Sequence, residues 1–254
     1  MHDDHPDSLI HDLHALNGAG PAGIADVYQD GRELRRPIRH SELSGHLGQE
    51  LLALGIALLT SGNHVWDKKE AEAYLKTEGR ILRPANYPEE VPGNGKSILR
   101  VRDQLLGVVN LQGRAFLPPI DCPFRAADRE LAELKRVTDI IVVDFHAEAT
   151  AEKQAFGWYL DGRVSAVLGT HTHVQTADER ILPGGTAFVT DAGMTGPLDS
   201  VIGVKKEQAI ARFLYQTPHR FELPKGPVQL NAVSLSIDGK TGKATSIERI
   251  FIKP

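Results

Sequence analysis

The chain has 254 residues, with 29 lysines and arginines against 33 aspartates and glutamates, a formal net charge of −4. That balance gives no electrostatic reason to expect a nucleic acid or an anionic membrane as partner, and 41% hydrophobic with 24% charged residues is ordinary for a soluble globular protein. Cys122 is the only cysteine, which excludes an intrachain disulfide and suits a reducing cytoplasm.

No apolar stretch approaches transmembrane length, and the opening Met1-His2-Asp3-Asp4-His5-Pro6 does not read as a secretory signal. The first 46 residues hold six of the eleven histidines without a sustained amphipathic period, and the basic run 31–40 reads as a solvated loop. Patterning starts near residue 47. A helix is expected over 47–54, ended at Gly55, then a strand over 56–60. A helix over 67–75 has Asp67 as its N-cap. Strands over 97–101 and 105–111 flank a turn and form a hairpin, and 125–137 is an amphipathic helix with Ala127, Leu131 and Leu134 inward. Apolar strands follow over 140–143, 164–168 and 186–190. A hairpin of alternating residues, 231–237 and 244–252, closes the chain around Asp238-Gly239. Trp66 and Trp158 could stack on a base, but they read as core residues. One domain, 1–254, is the economical organisation, with 1–46 atypical.

Three of the apolar runs lead into short polar clusters that contain histidine: Gly62-Asn63-His64-Val65-Trp66, Asp144-Phe145-His146-Ala147-Glu148 and Gly169-Thr170-His171-Thr172-His173-Val174. In open α/β sheets ligands bind beyond the carboxyl ends of the strands. Those loops would gather Asn63, His64, His146, His171 and His173 at one edge. If the backbone stays extended past 168, His171 and His173 point to the same side, because strand side chains repeat every two residues. Converging imidazoles suggest a metal centre; the bland alternative is a set of ordinary loop histidines. Asp144 and Glu148 either orient His146 or solvate a strand end. Gly193 and Gly196 shape a turn.

These clusters resemble the calcineurin-like metallophosphoesterases. Together with Arg83-Pro84-Ala85-Asn86-Tyr87-Pro88, Asn110-Leu111-Gln112-Gly113-Arg114 and the stretch 190–197, they are similar to the bacterial YmdB-type phosphodiesterases over residues 49–254. The resemblance implies an α/β fold, a four-layer α/β/β/α sandwich of the metallophosphoesterase type whose N-terminal strand region is incomplete here. It implies two divalent or transition metal ions, iron or manganese, and hydrolysis of 2′,3′-cyclic nucleotides by metal-activated hydroxide attack on phosphorus. By motif, Asn63, His146 and His171 would bind one metal and His173 the other, while His64 would be the catalytic histidine. The partner is a small-molecule phosphodiester; self-association into a homo-oligomer is left open.

The front departs from the family pattern. A strand leading into Gly-Asp, whose Asp binds the first metal, and a second leading into Gly-Glu-Asn, whose Glu bridges the metals, have no counterpart. With suitable synonymous codons, a one-base shift converts the stretch 31–40 into Gly-Glu-Asn-Cys-Ala-Gly-Pro-Phe-Gly-Ile. A local frameshift or truncation within 1–46 is therefore expected, and the nucleotide sequence tests it. As written, the chain could hold a single metal, so the competing reading is a catalytically impaired relative that binds a nucleotide or a partner. A metal-dependent amide hydrolase would use similar ligands, but the pairing of Gly-Asn-His with Gly-Thr-His-Thr-His disfavours it.

Overall fold

The computed structural model describes residues 10–11, 23–26, 45–218 and 220–254. The expected frameshift or truncation falls mainly outside the described residues. Two short strands lie within the front region: β1 (Ile10–His11) and β2 (Gly23–Asp26).

The central sheet has six strands in the order β5-β6-β7-β8-β10-β9. Here β5 is Lys96–Val101, β6 Gln104–Gln112, β7 Ile141–His146, β8 Ala166–Thr170, β9 Arg180–Ile181 and β10 Ala187–Val189. The inner four run parallel, and the flanking β5 and β9 pair antiparallel. Parallel strands are covered on both faces and so read as continuous apolar runs; all six residues of β7 are buried.

Helices α3 (Pro123–Leu134) and α4 (Thr150–Leu160) follow β6 and β7 as crossovers and lie on the same face. Ala127, Leu131 and Leu134 of α3 and Phe156 and Leu160 of α4 pack there against Leu111, Ile141, Val143 and Phe145. Phe145 stacks on Phe156 with ring centroids 4.0 Å apart. The opposite face, with Val108, Val142 and Ala166, meets Val233, Leu235 and Ala244 of the hairpin β12 (Val228–Ile237) and β13 (Ala244–Ile252). β1 and β11 (Gly196–Pro197) add to β12. A parallel trio, β2 with β3 (Ile56–Thr60) and β4 (Ile81–Leu82), is covered by α1 (Gly45–Ala53) and α2 (Lys69–Leu75) through Leu52, Leu59, Leu75 and Ile81. Helix, sheet, sheet and helix are the layers of the expected sandwich.

The period of two in β7 carries Val142, Asp144 and His146 to the face away from α3 and α4. The sequence places Asp144 and His146 in a loop after residue 143, whereas β7 continues through both. Polar residues inside a parallel strand mimic a loop until their partners are known. Helix α2 starts at Lys69 without a side-chain cap, because the Asp67 carboxylate meets the His64 ring instead. Trp158 is half exposed, under the Arg180 guanidinium rather than in the core, while Trp66 packs edge-on against Tyr87.

Sequence periodicity does not reveal α4 or α5 (Lys206–Tyr215). In α4 the inward stripe is interrupted by Lys153, which is 1% exposed and donates from Nζ to Asp191 Oδ2 at 2.7 Å. Asp191, equally buried, follows β10 and joins the crossover layer to the loop after β8. Removing one member of such a pair strands the other charge in a low-dielectric interior. Lys153→Ala or Asp191→Ala should therefore each destabilise the chain by about 3–5 kcal/mol. Urea unfolding followed by circular dichroism should show a lower midpoint at unchanged slope.

Candidate metal centre

Beyond the carboxyl ends of β3, β7 and β8, side chains from three loops and strands meet. Asn110, fully buried on β6, fixes where the first of them starts: its amide donates to the carbonyls of Ser61 at 2.7 Å and Leu82 at 3.1 Å. The chain then turns at Gly62, with Val65 N–H donating to the Gly62 carbonyl. Only glycine fits here, since a Cβ would lie 2.1 Å from the ring of His146. That close approach puts Asn63 Oδ1 2.9 Å from His146 Nε2. His171 Nδ1 lies 3.1 Å from the same nitrogen, with the two rings edge to face.

Hydrogen bonds behind the rings fix their tautomers. The Thr170 hydroxyl donates to the Asp144 carboxylate at 2.9 Å, so its oxygen accepts from His146 Nδ1–H at 3.2 Å. The lone pair of His146 is then on Nε2. His171 donates from Nε2 to Glu148 at 2.9 Å, which leaves its lone pair on Nδ1. Three lone pairs, on Asn63 Oδ1, His146 Nε2 and His171 Nδ1, thus face one another. A spacing of 2.9 and 3.1 Å matches adjacent corners of an octahedral coordination shell, about 3.0 Å apart for bonds of roughly 2.1 Å. Such lone pairs repel one another unless a cation lies between them, so this donor set fits a metal ion. It consists of two imidazoles and an amide. Among the described residues, no three His, Cys, Asp or Glu side chains form a metal-holding group.

Burial, reinforced by the nearby Lys153 charge, pushes the pKa of His146 down to about 3. Burial and the neighbouring His146 lower His171 to about 4. Both rings are neutral near pH 7, the form that binds metal.

His173 and His64 take hydrogen-bond partners outside this trio. His173 donates from Nδ1 to the Ile202 carbonyl at 2.9 Å, so its Nε2 carries the lone pair. His64 is exposed and pairs through Nδ1 with Asp67 Oδ2 at 3.0 Å. The extended course expected past 168 does not persist: β8 ends at Thr170, and His171 and His173 have φ of 103° and 67°. Asp191 explains the turn. Its Oδ2 accepts from both the amide and the hydroxyl of Thr172, at 3.0 and 2.8 Å, and so bends the loop between the two histidines. Left-handed angles at non-glycine residues cost of order 1–3 kcal/mol each and gather at functional sites. Sequence reasoning assigns no role to Thr170, Asp191 or Asn110. Each lies within one of the motifs, but only the sheet register shows what it touches. Glu148 orients His171 rather than His146, and Asp144 reaches His146 through Thr170.

The family described as YmdB-like protein matches residues 40–250. The chain is 50% identical over 222 residues to the 2′,3′-cyclic-nucleotide 2′-phosphodiesterase of Bacillus subtilis (strain 168), covering 87% of this chain and 81% of that protein. A solved structure of a hypothetical protein from Thermus thermophilus superposes with a TM-score of 0.82 at 41% identity, over 91% of this chain and 87% of that one. A novel phosphatase from Mycoplasma pneumoniae gives 0.75 at 38% identity, over 81% and 75%.

Both folded histidine pKa values lie below the unfolded value of about 6.5. Between pH 6.5 and the folded values of about 4 and about 3, the unfolded chain takes up protons that the folded chain refuses. Stability is therefore lost as pH falls through that window. Urea midpoints of metal-free protein should drop between pH 7 and pH 5, and less steeply in His146→Gln; equal slopes would contradict the buried neutral ring.

Proposed function

The chain belongs to the YmdB-like family, and from that footing we propose that it hydrolyses 2′,3′-cyclic nucleotides in a metal-dependent reaction that opens the ester at the 2′ oxygen. At the coarser level it is an enzyme, a phosphodiesterase of the metallophosphoesterase fold acting on a small-molecule phosphodiester. The observation that carries the finer reading is the convergence of the Asn63, His146 and His171 lone pairs. These three would hold one divalent ion, iron or manganese, and His173 would contribute to a second. When bound, such ions lower the pKa of a coordinated water toward neutrality and offset charge on the phosphoryl oxygens.

The chain's own residues supply the rest. A neutral donor set leaves the positive charge of the ions undiminished for an anionic phosphate. Asp67 holds the proton of His64 on Nδ1 and orients the ring, so His64 Nε2 can exchange a proton with substrate. As water adds to phosphorus and the bond to O2′ breaks, His64 passes to O2′ a proton that its Nε2 has first taken up from solvent, making O2′ a hydroxyl, and the proton lost by the attacking water returns to solvent. The product is a nucleoside 3′-phosphate. A lone cysteine fits the cytoplasm as the place of action. The impaired binding protein is not favoured: the described part of the centre keeps its tautomer-fixing partners throughout.

Metal analysis together with assays on 2′,3′-cyclic AMP and bis-p-nitrophenyl phosphate tests the reading. Bound transition metal with turnover of both substrates is the expected result. His64→Ala should lower kcat by about 10²–10⁴-fold at unchanged metal content, whereas Asn63→Ala should lose metal as well as activity. Turnover that survives complete metal removal would sink the proposal.

A further inference from the structure

The loop between β6 and α3, residues 113–120, is anchored at both ends and in its middle. Asn86, fully buried, donates from its amide to the carbonyls of Gln112 at 2.7 Å and Asp121 at 2.9 Å, and accepts from the Gln112 N–H at 2.9 Å. Glu152, in the first turn of α4, accepts from the backbone N–H groups of Arg114 and Ala115 at 3.1–3.2 Å. Gly113 N–H donates to the carbonyl of His146 at 2.9 Å, which ties the loop to the strand that bears the metal-centre histidine. Pro118 and Pro119 stiffen the remainder of the loop.

At the tip of this fixed loop Phe116 is 89% exposed and has φ of 62°. A bulky side chain in the left-handed region is a genuine outlier, and a ring left in water contributes nothing to the core. The fold gains from neither feature, although the backbone is held on both sides of Phe116, at 112–115 and at 121. Phe116 is three residues from Gly113, at most about 10 Å of chain, and Gly113 is hydrogen-bonded to the backbone of His146, so the ring is carried on the loop next to the strand end that bears the metal-centre histidine. An exposed aromatic face on a rigid support is what stacks a base without reading its identity.

We propose that Phe116 is the base-stacking residue of this centre, specifying nucleotides among phosphodiesters by receiving the nucleobase while the phosphate lies at Asn63, His146 and His171. The proposal rests on the phosphodiesterase reading above. The test is calorimetric binding of adenosine 3′-phosphate and of base-free ribose 3-phosphate to metal-loaded wild type, Phe116→Ala and Phe116→Trp. Phe116→Ala should weaken the nucleotide by roughly five- to a hundredfold, leave the base-free ligand unchanged, and be rescued by Phe116→Trp. KM for 2′,3′-cyclic AMP should rise in step at constant kcat. Equal effects on both ligands, no effect, or a wild type that does not tell the ligands apart would overturn the proposal. So would a change in sedimentation that makes Phe116 a contact between copies. Base-dependent binding without any hydrolysis would instead overturn the phosphodiesterase reading and leave the stacking role standing.

Discussion

The arrangement of the centre depends on one buried charge pair. Asp191 without a partner would be prohibitively costly at 1% exposure, and Lys153 offsets that cost from the helix on the far side of the sheet edge. Once the carboxylate is secured there, its remaining acceptor capacity does the shaping. It takes the amide and hydroxyl of Thr172 and the amide of Gly193, so two loops are drawn to one point. The unfavourable backbone angles of His171 and His173 are held by this attachment. A pair that contributes little net stability can still decide geometry, and here it does.

A second regularity runs through the histidines. Each has one ring nitrogen committed to an oxygen: His146 to Thr170, His171 to Glu148, His173 to the Ile202 carbonyl and His64 to Asp67. The committed nitrogen carries the proton, so the other carries the lone pair. Four imidazoles share this internal logic, three of them supported by a carboxylate directly or through Thr170, which is the kind of outer support that orients metal-binding rings.

Much of the scaffold was legible in the sequence because its signals are local. Strand 56–60 and the hairpin of β12 and β13 follow from apolar runs and turn residues, and Gly55, with φ of 95°, ends α1 as expected. The histidine clusters at strand ends were likewise visible, because a parallel sheet delivers such loops to one edge. What escaped depends on partners distant in the chain. Helix α4 was hidden because its inward stripe contains a lysine whose neutralising carboxylate is 38 residues away. The true end of β7 was missed because Asp144 and His146 look like loop residues until Thr170 is placed beside them. The same holds for the turn at 171–173, which is imposed by a carboxylate from beyond another strand and leaves no trace in the residues that bend.

The Gly62 backbone lies against one side of the His146 ring. An imidazole hemmed in this way cannot swing toward solvent to escort an ion inward or let one go. Among the described residues, Asn63 and His171 are the members of the trio that are partly exposed, so an ion held as proposed would exchange past them. In a centre of the kind proposed, the mobility of those two side chains would then set how quickly an ion comes and goes.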